Sequence, residues 1–334
     1  MPSTSGARGN DEVLPVSTAG KQQDGTTEVQ PELHSARSAL DQPRRALLVV
    51  NRVARHAADE YAIAATALRH AGIAVTVLDE PDKLAVASSI VRQQDACDAV
   101  IVAGGDGSLN VALQALVHVK KPLGIVPVGT ANDLARSVGV PLDVKGACDV
   151  IAAGITRPID VGRVNDVYFF NEMSIGLSPT VTRLLTKEDK AKLGTLALLV
   201  RGARVVHRLR RFRVEIECDG RRSTFHSPQL TIGNSSSFGG LIRSDEAALD
   251  DHRLDLYSIS FPTWWSFFEG LLALIRRRYD DARSVKTMHG KLFTVRTRRR
   301  RPIEADGEIV SATPAVVRVV PSAVRVFVPA SHAT

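Results

Sequence analysis

Residues 97–136 read CDAVIVAGGDGSLNVALQALVHVKKPLGIVPVGTANDLAR. An apolar run at 99–103 breaks at Gly104, Gly105, Asp106 and Gly107. A helical pattern follows at 108–119, with Leu109, Ala112, Leu113, Leu116 and Val117 on one face. The unit then repeats, with an apolar run at 123–128, a turn at Gly129 and Thr130, and a helix expected at 131–138. Short runs that are apolar at every position are the mark of strands buried on both faces, and the repetition predicts a βαβα sheet. Glycines let backbone N–H groups approach an anion closely, and a helix N-terminus adds unpaired donors and a partial positive charge. Nucleotide phosphates fit such turns.

The details exclude two common phosphate loops. No lysine stands in a G-x-x-x-x-G-K-[ST] arrangement, and Asn110 occupies the place of the last glycine of a G-x-G-x-x-G fingerprint read from Gly105. Instead an acid, Asp106, sits inside the glycine turn. Beside a phosphate it is repelled unless a divalent cation lies between them, so Asp106 implies magnesium. Asp106 also reads as a turn former capping the next helix. The second glycine turn, with Asn132 and Asp133 behind it, favours the phosphate reading.

GGDGS at 104–108 followed by PVGTANDLAR at 127–136 resembles the catalytic domain shared by diacylglycerol kinases, sphingosine and ceramide kinases and the bacterial lipid kinases. The resemblance continues through IDVGRVNDVYFFNEMSIG at 159–176, ALDDHRLDLYSI at 248–259 and EADGE at 304–308, and covers nearly everything after residue 43. It implies an α/β nucleotide-binding domain like those of phosphofructokinases and NAD kinases, joined to a β-rich, β-sandwich-like second domain. The activity it implies is ATP-dependent phosphorylation of a lipid hydroxyl with Mg2+. Carried over residue by residue, it makes Asn51, Gly104, Gly105, Asp106, Gly107, Ser108, Asn110, Gly129, Thr130, Asn132, Asp133 and Asp160 nucleotide or metal contacts. Asp160 is expected to join Asp106 and Asp133 around the metal. Glu308 matches the family's proposed general base, which accepts the hydroxyl proton while magnesium and backbone donors carry the phosphoryl charge. A structural magnesium is implied at Ala248, Asp251 and Arg253, with Asp251 giving its carboxylate and the others their carbonyls. The chain departs from the family at two places. Arg52 and Arg55 replace the Pro and Gly of an N-P-x-S-G loop beginning at Asn51, and His252 follows Asp251 where the family has Gly.

The rest of the chain sets the frame. At 334 residues and 44% hydrophobic it is long enough for two domains. Cys97, Cys148 and Cys218 lie far apart without CxxC spacing, which suggests neither a disulfide framework nor a zinc site and makes a reducing cytoplasm the expected compartment. Residues 1–43, polar and without periodicity, read as a disordered tail with no secretory h-region. The expected division is 44–158, with about 324–334 returning to it, for the nucleotide, and 159–323 for the lipid. Alternating runs at 163–170, 213–217, 229–233, 254–260, 291–297 and 315–328 predict antiparallel strands, with helices near 187–206 and 264–278. In the latter, Trp264, Phe267, Phe268, Leu271, Leu272 and Ile275 share one face beside Arg276, Arg277 and Arg278. It reads either as a core helix or as the edge of an acyl-chain site.

No stretch reaches the roughly 20 apolar residues of a membrane span. The net charge of +7 gathers in arginines at 201–213, 276–283 and 296–301. Peripheral contact with an anionic membrane is the expected partner surface, nucleic acid is disfavoured, and a homodimer stays open. Two other readings remain: a soluble-substrate kinase of the NAD-kinase type, and a non-catalytic protein binding anionic lipid or nucleic acid.

Overall fold

Every residue of the run AVIVAG at 99–104 is buried, as a strand covered on both faces requires. In chain order the first half is β1 (Arg45–Val50), α1 (Ala57–His70), β2 (Ala74–Leu78), α2 (Lys83–Arg92), β3 (Ala99–Gly104), α3 (Asp106–Val119), β4 (Leu123–Pro127), α4 (Asp133–Ser137), α5 (Val144–Ala152) and β5 (Thr156–Val164). The computed structural model describes residues 42–50, 57–80, 82–176, 211–234, 237–238, 242–243, 249–259 and 285–333, all of one unit spanning residues 38–334. The tail through residue 41, Asn51, Arg52, Arg55, Ala248 and the helices expected near 187–206 and 264–278 lie outside them.

Strands β2, β1, β3 and β4 pair in parallel in that order. The chain leaves β1 toward β2 on one side and β3 toward β4 on the other. The topological switch therefore lies between β1 and β3, and open α/β sheets bind ligands outside the carboxyl ends of strands at that point. The 104–107 glycine turn is there. Helix α3 starts at Asp106, two residues before its apolar periodicity begins, because Gly105 is extended and takes the N-cap position. Helix α4 is shorter than the expected 131–138, because its N-cap Asn132 is left-handed (φ 52°).

The second half is β6 (Val167–Phe169), β7 (Glu172–Gly176), β8 (Phe212–Cys218), β9 (Arg221–Ser227), β10 (Gln229–Gly233), β11 (Ser237–Phe238), β12 (Ile242–Arg243), β13 (Leu254–Ile259), β14 (Val285–Gly290), β15 (Leu292–Thr297), β16 (Pro302–Ala305), β17 (Glu308–Ala312) and β18 (Ala315–Phe327). In β8 the buried Phe212, Val214 and Ile216 alternate with exposed Arg213 and Glu215, the period of two of a half-buried strand. One antiparallel sheet, ordered β14-β13-β10-β7-β16-β17, packs against β18, β15, β8 and β9. Met173, Ile175, Leu230 and Ile232 meet Val214, Ile216, Phe293 and Val295 in this second core. The result is an α/β sheet unit joined to a β-sandwich.

Strands β5 and β18 tie the two cores together. The first half of β18 pairs with β15 (Val317 with Phe293), and its last residues join the parallel sheet at β4 (Val326 with Leu123). Strand β5 runs antiparallel to both halves, across a register shift between Val320 and Val324. The division expected at residue 159 falls inside β5. Cys97, Cys148 and Cys218 are free and buried, and burial pushes the Cys148 thiol up to about 11.

Candidate functional site

The two glycine turns touch. A Cβ built on Gly129 would sit 2.4 Å from the Gly105 Cα, and one on Gly105 would sit 3.1 Å from the Gly129 Cα. Only glycine lets these backbones pass so closely. The Val128 N–H donates to the Gly104 carbonyl (3.2 Å) across the same contact. Asn132 brackets the second turn, its Oδ1 accepting the Gly129 N–H (3.1 Å) and its Nδ2 donating to the Gly129 carbonyl (2.8 Å). Its side chain thus shapes the turn. Asp106, the first residue of α3, accepts the Leu134 N–H (3.3 Å) and so links the starts of α3 and α4. Gly107 is exposed, and an added Cβ there would meet nothing within 4 Å. The space beside Gly107 at the start of α3 is therefore open, and a helix N-terminus is where an anion is favoured. One turn further, Asn110 is buried and its Oδ1 has no hydrogen-bond partner among the described residues. An orphaned acceptor of this kind calls for a ligand donor.

The opposite wall comes from the sandwich. Strands β16 and β17 form a hairpin whose two turn residues, Asp306 (φ 46°) and Gly307 (φ 89°), are left-handed, the Asp-Gly chemistry of a type I′ turn. The Asp306 carboxylate accepts the N–H groups of Phe170 (2.7 Å), Asn171 (3.0 Å) and Glu172 (3.1 Å). Burial pushes its carboxyl up to about 6. The three N–H bonds oppose that rise, and the nearby Asp106 carboxylate adds to it. The Asp106 carboxylate is thus near enough to disfavour the ionised form of Asp306. Helix α3 holds the two walls together: Gln114 Nε2 donates to the Tyr168 carbonyl (2.8 Å), and the Tyr168 N–H donates to Gln114 Oε1 (3.2 Å). Glu308, half-buried, opens β17 directly after the turn.

A carboxylate at the mouth of a phosphate turn, as Asp106 is, suits magnesium, which binds through one or two carboxylates plus substrate phosphate oxygens, whereas the Asp306 oxygens are taken by three backbone N–H groups. Asp306 is the acid that sequence reasoning passed over, because Asp-Gly between strands reads as hairpin chemistry alone. A second acid two residues before Glu308 was the available signal.

Other expected residues are placed differently. The Asp160 carboxylate, 1% exposed, accepts the N–H groups of His252 (2.7 Å) and Ser322 (2.8 Å) and lies 3.1 Å from His252 Nδ1. It fastens β5 to the 249–253 turn and to the β18 bulge. Burial obliges its oxygens to take such donors. Asp133 and Thr130 stand at the second glycine turn, Asp133 opening α4 and Thr130 exposed. The Ser108 side chain lies over Gly104. At the implied structural magnesium, Asp251 Oδ1 accepts the Arg253 N–H (3.0 Å). Among the described residues no group of three or more His, Cys, Asp or Glu side chains is arranged to hold a metal.

Comparison with known proteins matches both halves of the chain. The family model described as "Diacylglycerol kinase catalytic domain" matches residues 45–164, and "YegS C-terminal NAD kinase beta sandwich-like domain" matches 171–328. A diacylglycerol kinase of Bacillus subtilis (strain 168) is 30% identical over 215 residues, 63% of this chain and 71% of that protein. An uncharacterized protein of Synechocystis sp. is 28% identical over 239 residues, 70% of this chain but 55% of its own length. A solved structure described as a diacylglycerol kinase of Bacillus anthracis strain Sterne superposes with a TM-score of 0.68 at 23% identity, covering 87% of this chain and 99% of its own, and shows the same fold.

Proposed function

Since the chain belongs to the diacylglycerol kinase family, we propose that it transfers the γ-phosphoryl group of ATP to the hydroxyl of a lipid, diacylglycerol-like or sphingoid. The observation that carries this reading is the contact of the two glycine turns beside the start of α3, with Asp106 near enough to Asp306, at the hairpin tip that also bears Glu308, to disfavour its ionisation. In this reading the turns supply the phosphate-binding backbone and the hairpin supplies the base. Asp106 would hold magnesium, which when bound neutralises charge on the phosphate oxygens. The start of α3 and the 129–133 turn cradle the phosphates, and Asn110 offers its buried oxygen to a nucleotide donor. Glu308 takes the proton of the acceptor hydroxyl as its oxygen attacks the γ-phosphorus, and ADP leaves with the bridging oxygen. In this reading residues 44–158 and the end of β18 serve the nucleotide, and 159–323 serve the acceptor.

The acceptor side presents an apolar and basic rim. Ile309, 76% exposed, follows Glu308 on the edge strand β17, and Arg298, Arg299 and Arg300 are exposed in the loop before β16. Such a rim suits contact with an anionic bilayer. Among the described residues no helix is long and apolar enough to cross a membrane.

The test is incubation of the protein with labelled ATP, magnesium and a total lipid extract, followed by chromatography. Label is expected in a lipid spot. It should be lost with Asp106→Asn, which keeps an acceptor for the Leu134 N–H but removes the charge. Label on a soluble acceptor, or none, would overturn the lipid reading.

A further inference from the structure

The resemblance implies a structural magnesium on the 248–253 turn, and the residues present do not fit it. Asp251 already closes the turn through the Arg253 N–H. His252, where relatives carry glycine, is left-handed (φ 58°), a conformation that disfavours a side chain. That conformation aims its backbone N–H and its Nδ1 at one buried carboxylate: the backbone N–H lies 2.7 Å from Asp160 Oδ2, and Nδ1 lies 3.1 Å from each oxygen. Asp160 would otherwise be a desolvated carboxylate with Ser322 as its remaining donor among the described residues. The next buried acid, Asp255, is met in the same way by Nδ1 of His289, its cross-strand neighbour on β14. The two buried acids around this turn, Asp160 and Asp255, are thus each bonded to a histidine.

We propose that His252 takes the place of the structural cation: its imidazole, not a metal at Asp251, clamps the 249–253 turn to β5 through Asp160. The inference goes beyond the phosphoryl-transfer reading and does not depend on which acceptor is used.

The experiment is thermal unfolding of the full chain without nucleotide, in millimolar magnesium and in chelator. The magnesium-induced change in Tm is expected to be the same in the parent and in Asp251→Asn. His252→Gly, which restores the family residue and relieves the left-handed strain, is expected to lower Tm by about 2–4 °C, the scale of a lost hydrogen bond in a chain this large. His252→Asn, tolerant of the same backbone conformation but too short to span both oxygens, should behave likewise and covers the case of a glycine variant that does not fold. A magnesium shift present in the parent and abolished by Asp251→Asn would overturn the proposal. So would a His252→Gly protein as stable as the parent.

Discussion

Asp306 is held at a charge-sensitive balance: burial, then three backbone N–H bonds pulling the other way, then the Asp106 carboxylate leave its pKa at about 6 against an ordinary value of 3.8. A group whose folded pKa is raised binds its proton more tightly when folded. Its stabilising contribution is therefore complete below 3.8 and is lost as pH rises through about 6, falling by about 1.4 kcal/mol for each pH step between those values. The stability advantage of the parent over Asp306→Asn should accordingly be largest near pH 4 and shrink by pH 7. Paired urea titrations across that range would measure it, and a pH-independent difference would contradict the raised pKa. Glu308 is argued on chemistry. Glu308→Gln keeps size and hydrogen-bonding capacity but loses basicity, so kcat should fall about 10²- to 10⁴-fold. ATP affinity should stay close to the parent's, because the phosphates are held from the glycine turns. A kcat within threefold of the parent would remove Glu308 as base, and an equal loss of ATP binding would reassign it to the nucleotide site.

Among the elements, the paired glycine turns show how local grammar and packing divide the work. The turn and the helix after it are legible from GGDGS, since an apolar run, a glycine break and a 3.6-residue period follow one another. That the two turns press backbone to backbone is not, because nothing along the chain says which of two glycines 24 positions apart will meet. Gly129→Ala puts a methyl 2.4 Å from the Gly105 Cα and 2.7 Å from Asn132 Oδ1. We expect a loss of about 1–3 kcal/mol in stability and weaker nucleotide binding. An alanine variant with parental Tm and ATP affinity would mean the turns separate freely. The β16–β17 hairpin was legible as a turn from Asp-Gly, but its tip becomes part of a site only through the three N–H groups at 170–172, some 135 residues away in sequence.

Across the whole molecule, the run of arginines resolves into two kinds. Arg301 stacks its guanidinium 4.0 Å over the Phe212 ring and belongs to the sandwich. Arg298, Arg299 and Arg300 are exposed. Strand β16 separates them from the Asp306 turn, a span of about 13 Å at 3.3 Å per residue. Basic side chains near an anionic surface contribute about 1 kcal/mol each, screened over about 8 Å at physiological salt. Replacing all three with Gln should weaken sedimentation with phosphatidylglycerol vesicles and flatten its salt dependence, with the folded state unchanged. Unaltered, salt-insensitive binding would place the membrane face elsewhere.

The order and type of the parallel sheet's elements, the glycine turns with their acid Asp106, and the β-rich second half follow from the sequence by itself, because each rests on neighbours within a turn or a strand; the role proposed for Glu308 comes from the resemblance. Tertiary structure alone decided that the Asp306 carboxylate takes the N–H groups of 170–172, that β5 and β18 run through both cores, and that Asp160 turns to His252 and Ser322. A buried carboxylate must take whatever donors the fold brings to it, and those donors are 92 and 162 residues away along the chain. Short-range periodicity carries no information at that distance.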